Sequence, residues 1–209
     1  MRLLEQVKNL SGRRSLLVLR PGDSEEVRLA WKAAVENKLG PTGLIFSRQD
    51  LIDIPSDGGD RKANAHGLEK GGYVVSGASA KPALVLLANG SELGLAHQTA
   101  ETLRSEGVSV QVSSIPSVGL FLEQDEAHRS SVLPAGVPVL ALTAGLPSVY
   151  QGLEGPLGEV FGMTRFGASA NFKVLDEKFG FTPLAATERA RALLGDQPRR
   201  RAVLRQLFG

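Results

Sequence analysis

Short apolar bursts alternate with amphipathic stretches along the chain. The bursts run Leu16 to Leu19, Leu44 to Phe46, Ala83 to Ala88, Val108 to Val112, Val137 to Leu142 and Val160 to Met163. Each is rich in Val, Ile or Leu, too short for a helix and separated from the next by helical periodicity. That pattern predicts an α/β fold whose mostly parallel sheet is flanked by helices. The first helix is marked by Asp23 as a cap, Glu26 three residues later to complete a capping box, and Val27, Ala30, Trp31 and Val35 on one face. A second opens at Ser91, runs through Leu93, Ala96, Ala100 and Leu103, and is ended by Gly107 before the strand at Val108. Thr182-Pro183 begins a last helix in the favoured N-cap and N1 order.

Between Asp50 and Leu68 the sequence turns polar and rich in Gly, Pro and Asp (Ile54-Pro55-Ser56-Asp57-Gly58-Gly59-Asp60), so residues 51–67 are expected to be a linker. Residues 1–50 before it hold two strands and about two helices, too little to close a sheet covered on both faces. After it, Gly72-Tyr73-Val74-Val75 forms an expected edge strand. Four further strands with their helices make residues 68–195 a domain of about 125 residues, a typical size. Residues 196–209 are a basic tail.

Composition narrows the classes. The 209 residues are 42% hydrophobic, enough for a packed core. Lys and Arg number 24 against 22 Asp and Glu, a surplus too small to predict a partner. Arg199, Arg200, Arg201 and Arg205 hold most of the local excess, and a solvated helical tail accounts for them better than a nucleic-acid arm. Aromatic residues are 5% and do not interleave with the basic ones, so no stacking platform and no nucleic-acid partner is expected. The absence of cysteine excludes disulfides and thiolate chemistry and agrees with a reducing compartment, the cytoplasm by default. No apolar run approaches the roughly 20 residues of a membrane span, and Met1-Arg2-Leu3-Leu4 leads into charged residues rather than a signal core.

Candidate chemistry is sparse. His66 falls in the expected linker, while His97 and His128 lie on helices among surface residues; none has a nucleophile partner or metal-ligand spacing. Asn89-Gly90-Ser91 follows a strand and opens a helix whose amides attract anions, but every such turn does, and a simple cap is the favoured reading. Phe166-Gly167-Ala168-Ser169-Ala170 is read as tight packing, and Asp57-Gly58-Gly59-Asp60 as linker rather than a metal loop. The most informative polar group is Ser47-Arg48-Gln49, directly after a strand, where open α/β sheets gather ligands. Arg48 suits phosphate, since its planar guanidinium donates two parallel hydrogen bonds; an ion pair with Asp50 or Asp53 explains it equally well on local sequence.

These blocks, in their order, resemble the transketolase family. Leu16-Leu17-Val18-Leu19-Arg20-Pro21-Gly22-Asp23, Ala30-Trp31-Lys32 and Ser47-Arg48-Gln49 are similar to the end of its pyrimidine-binding domain. Gly67-Leu68-Glu69-Lys70-Gly71-Gly72-Tyr73-Val74 resembles the passage into its carboxy-terminal domain, and Leu86-Leu87-Ala88-Asn89-Gly90-Ser91-Glu92 that domain's first helix start. Val110 to Leu133 and Arg165 to Ala170 with Glu177-Lys178-Phe179-Gly180 follow the family closely. The resemblance covers about residues 15 to 190, with a looser continuation backwards through Leu4-Glu5-Gln6.

The resemblance implies part of an enzyme that uses thiamine diphosphate and a divalent metal such as Mg to move a two-carbon ketol unit between sugar phosphates. It makes residues 1–50 a partial pyrimidine-binding domain and 68–195 the carboxy-terminal domain. The family's Gly-Asp-Gly metal motif, cofactor-activating glutamate and histidine-rich loop are not found here. No catalytic, cofactor-binding or metal residue is therefore expected on this chain alone, and the expected partner is an amino-terminal transketolase portion in a homo- or hetero-oligomer. Arg48 matches the Arg of the family's Ser-Arg-Gln motif, which binds sugar phosphate. Where the family carries Val-Glu-Ala-Gly and then a Gly-Trp segment, this chain reads Leu142-Thr143-Ala144-Gly145 and continues to Gln151 without tryptophan, a departure that bears on domain docking. The alternative expectation is a non-catalytic oligomerisation or binding module derived from the same domain.

Overall fold

The computed structural model describes residues 5, 7–79 and 81–208. Its strands are β1 (Leu17–Leu19), β2 (Thr42–Leu44), β3 (Tyr73–Ser76), β4 (Leu84–Ala88), β5 (Val110–Ser114), β6 (Val139–Leu142) and β7 (Glu159–Phe161). The helices are α1 (Ser24–Glu36), α2 (Arg61–Ala65), α3 (Glu92–Ser105), α4 (Val118–Leu122), α5 (Glu126–Val132), α6 (Phe172–Phe179), α7 (Pro183–Gly195) and α8 (Gln197–Phe208), with 3-10 turns at His66–Lys70 and Pro147–Val149.

Five strands form one sheet in the order β3-β5-β4-β6-β7, parallel except for β3, which runs antiparallel along the edge of β5. The expected fold class and edge strand are both present. Covering of both faces explains the unbroken apolar runs. In β4, Leu84, Leu86 and Ala88 face one core with α3 and α7, while Val85 and Leu87 face a second core with Phe121, Val132 and Tyr150. The first core also takes in Leu17, Leu19, Leu29 and Ala30, so residues 1–50 share it with the larger sheet. Their own strands, β1 and β2, make a separate two-stranded parallel sheet.

Several local expectations need correction. β2 begins two residues before the burst at Leu44 to Phe46, because pairing with β1 starts at Thr42; the Ile45 amide still reaches the Leu19 carbonyl (2.9 Å). Along α1, Glu26, Leu29 and Ala30 form the packed face, whereas Trp31 and Val35 are 55% and 71% exposed. Ser91 gives α3 no side-chain cap, since its hydroxyl is committed to Arg20 and Glu92. Thr182 does cap α7, accepting from the Ala185 amide (3.3 Å), but α7 is followed by α8 rather than being the last helix.

Residues 51–67 are mostly exposed, yet they are not featureless. Asp60 caps the short α2 by accepting from the Lys62 amide (2.9 Å), and Ile54 and Ala65 are buried in the first core. Leu4 and Gln6, in the looser backward continuation of the family resemblance, lie outside the described residues, as do Met1 to Leu3 and Gly209.

Candidate functional site

Ser47-Arg48-Gln49 leaves the carboxyl end of β2, as its sequence position predicts, and Arg48 projects from an exposed bend. The competing explanation for Arg48, an ion pair with Asp50 or Asp53, is not realised. Asp53 instead accepts from the Ser24 amide (3.0 Å), and the Ser24 side chain, together with that amide, holds its carboxyl below the usual range. Among the described residues Arg48 forms no hydrogen bond or ion pair, which leaves its donor fork open to an anion.

Beside this motif lies a cleft of about 540 Å³, walled by Gln49 to Ile52, the start of α3 and the start of α6. Arg48 is not among its lining residues. Among the described lining residues, Asp50, Glu92 and Asp176 face one cation, Lys173. Burial, and then the charge of Glu92, push the Asp176 carboxyl upward. An acidic cleft disfavours a phosphate, and Arg48 lies outside its lining.

The glycine turn Asn89-Gly90-Ser91 is already filled. Arg20, at the end of β1, donates from Nη1 to the Asn89 carbonyl (2.7 Å), Asn89 Oδ1 (2.8 Å) and Glu92 Oε2 (2.6 Å), and from Nη2 to Ser91 Oγ (2.9 Å). A Cβ on Gly90 would sit 2.6 Å from the Arg20 guanidinium. The turn is therefore occupied by the protein's own Arg20 and Glu92 side chains, and the Ser91 cap expected there is not formed. Among the described residues no group of three or more His, Cys, Asp or Glu side chains is placed to hold a metal ion. The residues present fit neither a diphosphate cradle nor its metal.

A buried polar network escaped the sequence reading. Glu26 is fully buried; its Oε1 accepts from the Tyr73 hydroxyl (2.6 Å) and Ser114 Oγ (2.6 Å), and its Oε2 from the Gly22 amide (2.7 Å). Arg61 grips Asp23 through Nε (2.9 Å) and Nη2 (2.7 Å) and reaches the Tyr73 hydroxyl (2.8 Å). Burial raises the Glu26 carboxyl, with Asp23 adding to the effect and the three donors opposing it. Burial and Glu26 also push the Tyr73 phenol well above its ordinary value. Only the capping half, Asp23 accepting from the Glu26 amide (2.9 Å), was legible locally.

The histidines stay apart. His66 starts a 3-10 turn beside Glu69 (3.2 Å), half-buried His97 is lowered by desolvation, and His128 Nε2 meets the Gly72 carbonyl (2.9 Å). The packing expected at Phe166 to Ala170 is absent: Phe166 is fully exposed and Gly167 has nothing within 4 Å of an added Cβ. A second uncovered apolar area lies on the first fifty residues, where Trp31 stacks on Phe46 (centroids 6.1 Å apart) near exposed Val35 and Leu39.

Comparison with known proteins follows these features. A family model described as the transketolase-like TK C-terminal domain matches residues 71–182. Transketolase 1 of Vibrio vulnificus is 41% identical over 192 residues, covering 91% of this chain and 28% of its own length. The solved transketolase of Leishmania mexicana superposes with a TM-score of 0.77 at 35% identity over 88% of this chain and 26% of its own. A structure described as a split gene transketolase, inactive beta4 tetramer, shares the fold at TM-score 0.63 and 17% identity, covering 92% of this chain and 60% of that one.

Proposed function

The chain belongs to the transketolase family, corresponding to the carboxy-terminal portion of its members over little more than a quarter of their length, and we propose that it works only when joined by an amino-terminal portion. In that reading residues 1–50 are the end of a pyrimidine-binding domain, 51–67 its connection, 68–195 the carboxy-terminal domain and 196–209 a basic tail. The completed enzyme transfers a two-carbon ketol unit between sugar phosphates in the cytoplasm, as a homo- or hetero-oligomer. Thiamine diphosphate, which stabilises the carbanion in such chemistry, and its Mg ion belong to the amino-terminal portion.

The observation that carries the reading is the unfinished first sheet. Among the described residues β1 and β2 pair only with each other, and Trp31 and Val35 on α1, with Leu39 and Phe46 after it, are exposed to solvent. A two-stranded sheet with an uncovered aromatic face is what a domain leaves when the rest of its strands are on another segment. Arg48 lies at the edge of this unfinished part, where its unpaired guanidinium supplies one half of a sugar-phosphate contact.

Trp31 is the only tryptophan, so docking is directly visible. Mixing with a chain carrying the amino-terminal domains is expected to shift its emission to the blue, as the indole leaves water. An unmoved spectrum at saturating partner refutes docking at this face. In the joined enzyme Arg48→Ala is expected to raise KM for sugar phosphates by roughly ten- to a hundredfold, the value of a charge-assisted phosphate contact, without changing the stability of this chain. A KM within twofold of the parent removes Arg48 from the substrate site.

The same exposed face also supports a second reading, a non-catalytic module that covers Trp31 with another copy of itself. That version predicts a blue shift on concentrating the chain alone, with a matching rise in mass by sedimentation. A monomer at high concentration sinks it.

A further inference from the structure

The order β3-β5-β4-β6-β7 contains a reversal that the transketolase reading does not use. The connection leaving β4 passes through α3 to β5 on one side, and the connection leaving β5 passes through α4 and α5 to β6 on the other side of β4. β4 and β6 are therefore neighbours whose connections diverge, and the crevice outside the carboxyl ends of such a pair is where open α/β sheets hold ligands. A crevice of about 420 Å³ lies there, bounded by Asn89 after β4 and Thr143 to Gly145 after β6. That volume suits a small molecule.

Its chemistry is mostly apolar, with Val18, Ile45, Val118 and Val149 on the walls. Three buried polar side chains border it, Glu5, Asn89 and Thr143. Asn89 donates to the Ile115 carbonyl (2.8 Å) and accepts from Arg20 (2.8 Å). Thr143, 2% exposed, accepts from the Gly145 amide (3.0 Å), and its hydroxyl proton has no acceptor among the described residues. A buried hydroxyl with an unused donor beside open volume favours a ligand oxygen.

The charged groups at the crevice are already engaged. The Arg20 guanidinium is matched by Glu92 at 2.6 Å, and a second carboxylate, Glu5, lies among the lining residues with its Oε1 accepting from Ser117 Oγ (3.0 Å). An anion finds no free cation and a cation no free carboxylate; either would lose hydration without return. We propose that this crevice binds a compact, uncharged, mostly apolar molecule whose carbonyl or ether oxygen accepts from Thr143.

The test is methyl-detected NMR of the complete chain titrated with cyclohexanone, cyclohexanecarboxylate and cyclohexylammonium. The ketone is expected to shift the Val118 and Val149 methyls saturably, with at least about tenfold weaker binding by either charged analogue. Thr143→Val, nearly isosteric, is expected to weaken the ketone by about fivefold, and Ala144→Phe, at the exposed rim, to abolish its shifts. Equal binding by a charged analogue, ketone affinity unchanged by Thr143→Val, or no saturable shift with any probe each overturns the proposal. So does a result in which only an added amino-terminal transketolase portion moves these methyls, because the crevice is then a protein contact. None of these outcomes depends on transketolase activity.

Discussion

Glu26 shows how one side chain comes to hold distant parts of the chain together. Its three donors come from Gly22, Tyr73 and Ser114, the last two 47 and 88 positions away. Removing the carboxylate strands three donors in a dry interior, so Glu26→Ala is expected to lower unfolding stability by about 3 kcal/mol in urea titrations. A loss below about 1 kcal/mol means the donors find other partners. The pH dependence has a definite sign. The folded carboxyl titrates above its ordinary value of 4.5, so its contribution is full below that value and declines as pH rises through the raised one. The stability of the parent relative to Glu26→Gln should therefore fall as pH rises above 4.5, and a flat or rising difference contradicts the burial-dominated shift. The sequence disclosed the capping role of Asp23 because it is local, whereas the reciprocal half of the expected capping box is not formed, since Glu26 takes the Gly22 amide instead of that of Asp23. It did not disclose the network, because nothing near Tyr73 or Ser114 marks them as partners of α1.

At the scale of elements, the strands were legible because helices cover both faces of the sheet, leaving uninterrupted apolar runs for a reader to find. Their ends were less so: β2 and β5 are displaced by about two residues, since ladder hydrogen bonds rather than hydrophobicity set where pairing starts and stops. Helix α1 exposes a further limit. Its apolar positions serve two sides, and periodicity alone cannot tell the side packed by Leu29 and Ala30 from the open side of Trp31 and Val35. Phe166 to Ala170 failed for a related reason, because small and aromatic residues mark contact without saying whether the contact lies within the same chain. Two substitutions weigh the elements. Leu86→Ala in β4, fully buried, is expected to cost about 3 kcal/mol through lost burial and a cavity. Arg20→Ala, which leaves the Glu92 carboxylate buried and without its cation, is expected to cost a similar amount of about 3 kcal/mol. Chemical denaturation measures both, and a neutral Arg20→Ala would show that the joint between β1 and α3 is held by packing alone.

On the scale of the whole molecule, one continuous core joins Leu19 and Leu29 to the five-stranded sheet, while the opposite side of α1 and the segment at Phe166 stay open to solvent. The fold class was legible throughout, and so was the position of Arg48 at a strand's carboxyl end. What local sequence could not separate was an ion-paired Arg48 from a free one, because Asp53 turns instead to the Ser24 amide. The proposal that this chain needs an amino-terminal portion rests on the two-stranded sheet and the exposed apolar side of α1, with Arg48 unpaired among the described residues. The most direct measurement is a coupled transketolase assay with thiamine diphosphate and magnesium, run on this chain alone and again with an added amino-terminal chain. The account predicts no turnover alone and turnover on mixing; turnover by the isolated chain, or silence in a mixture shown by Trp31 emission to be fully docked, would contradict it.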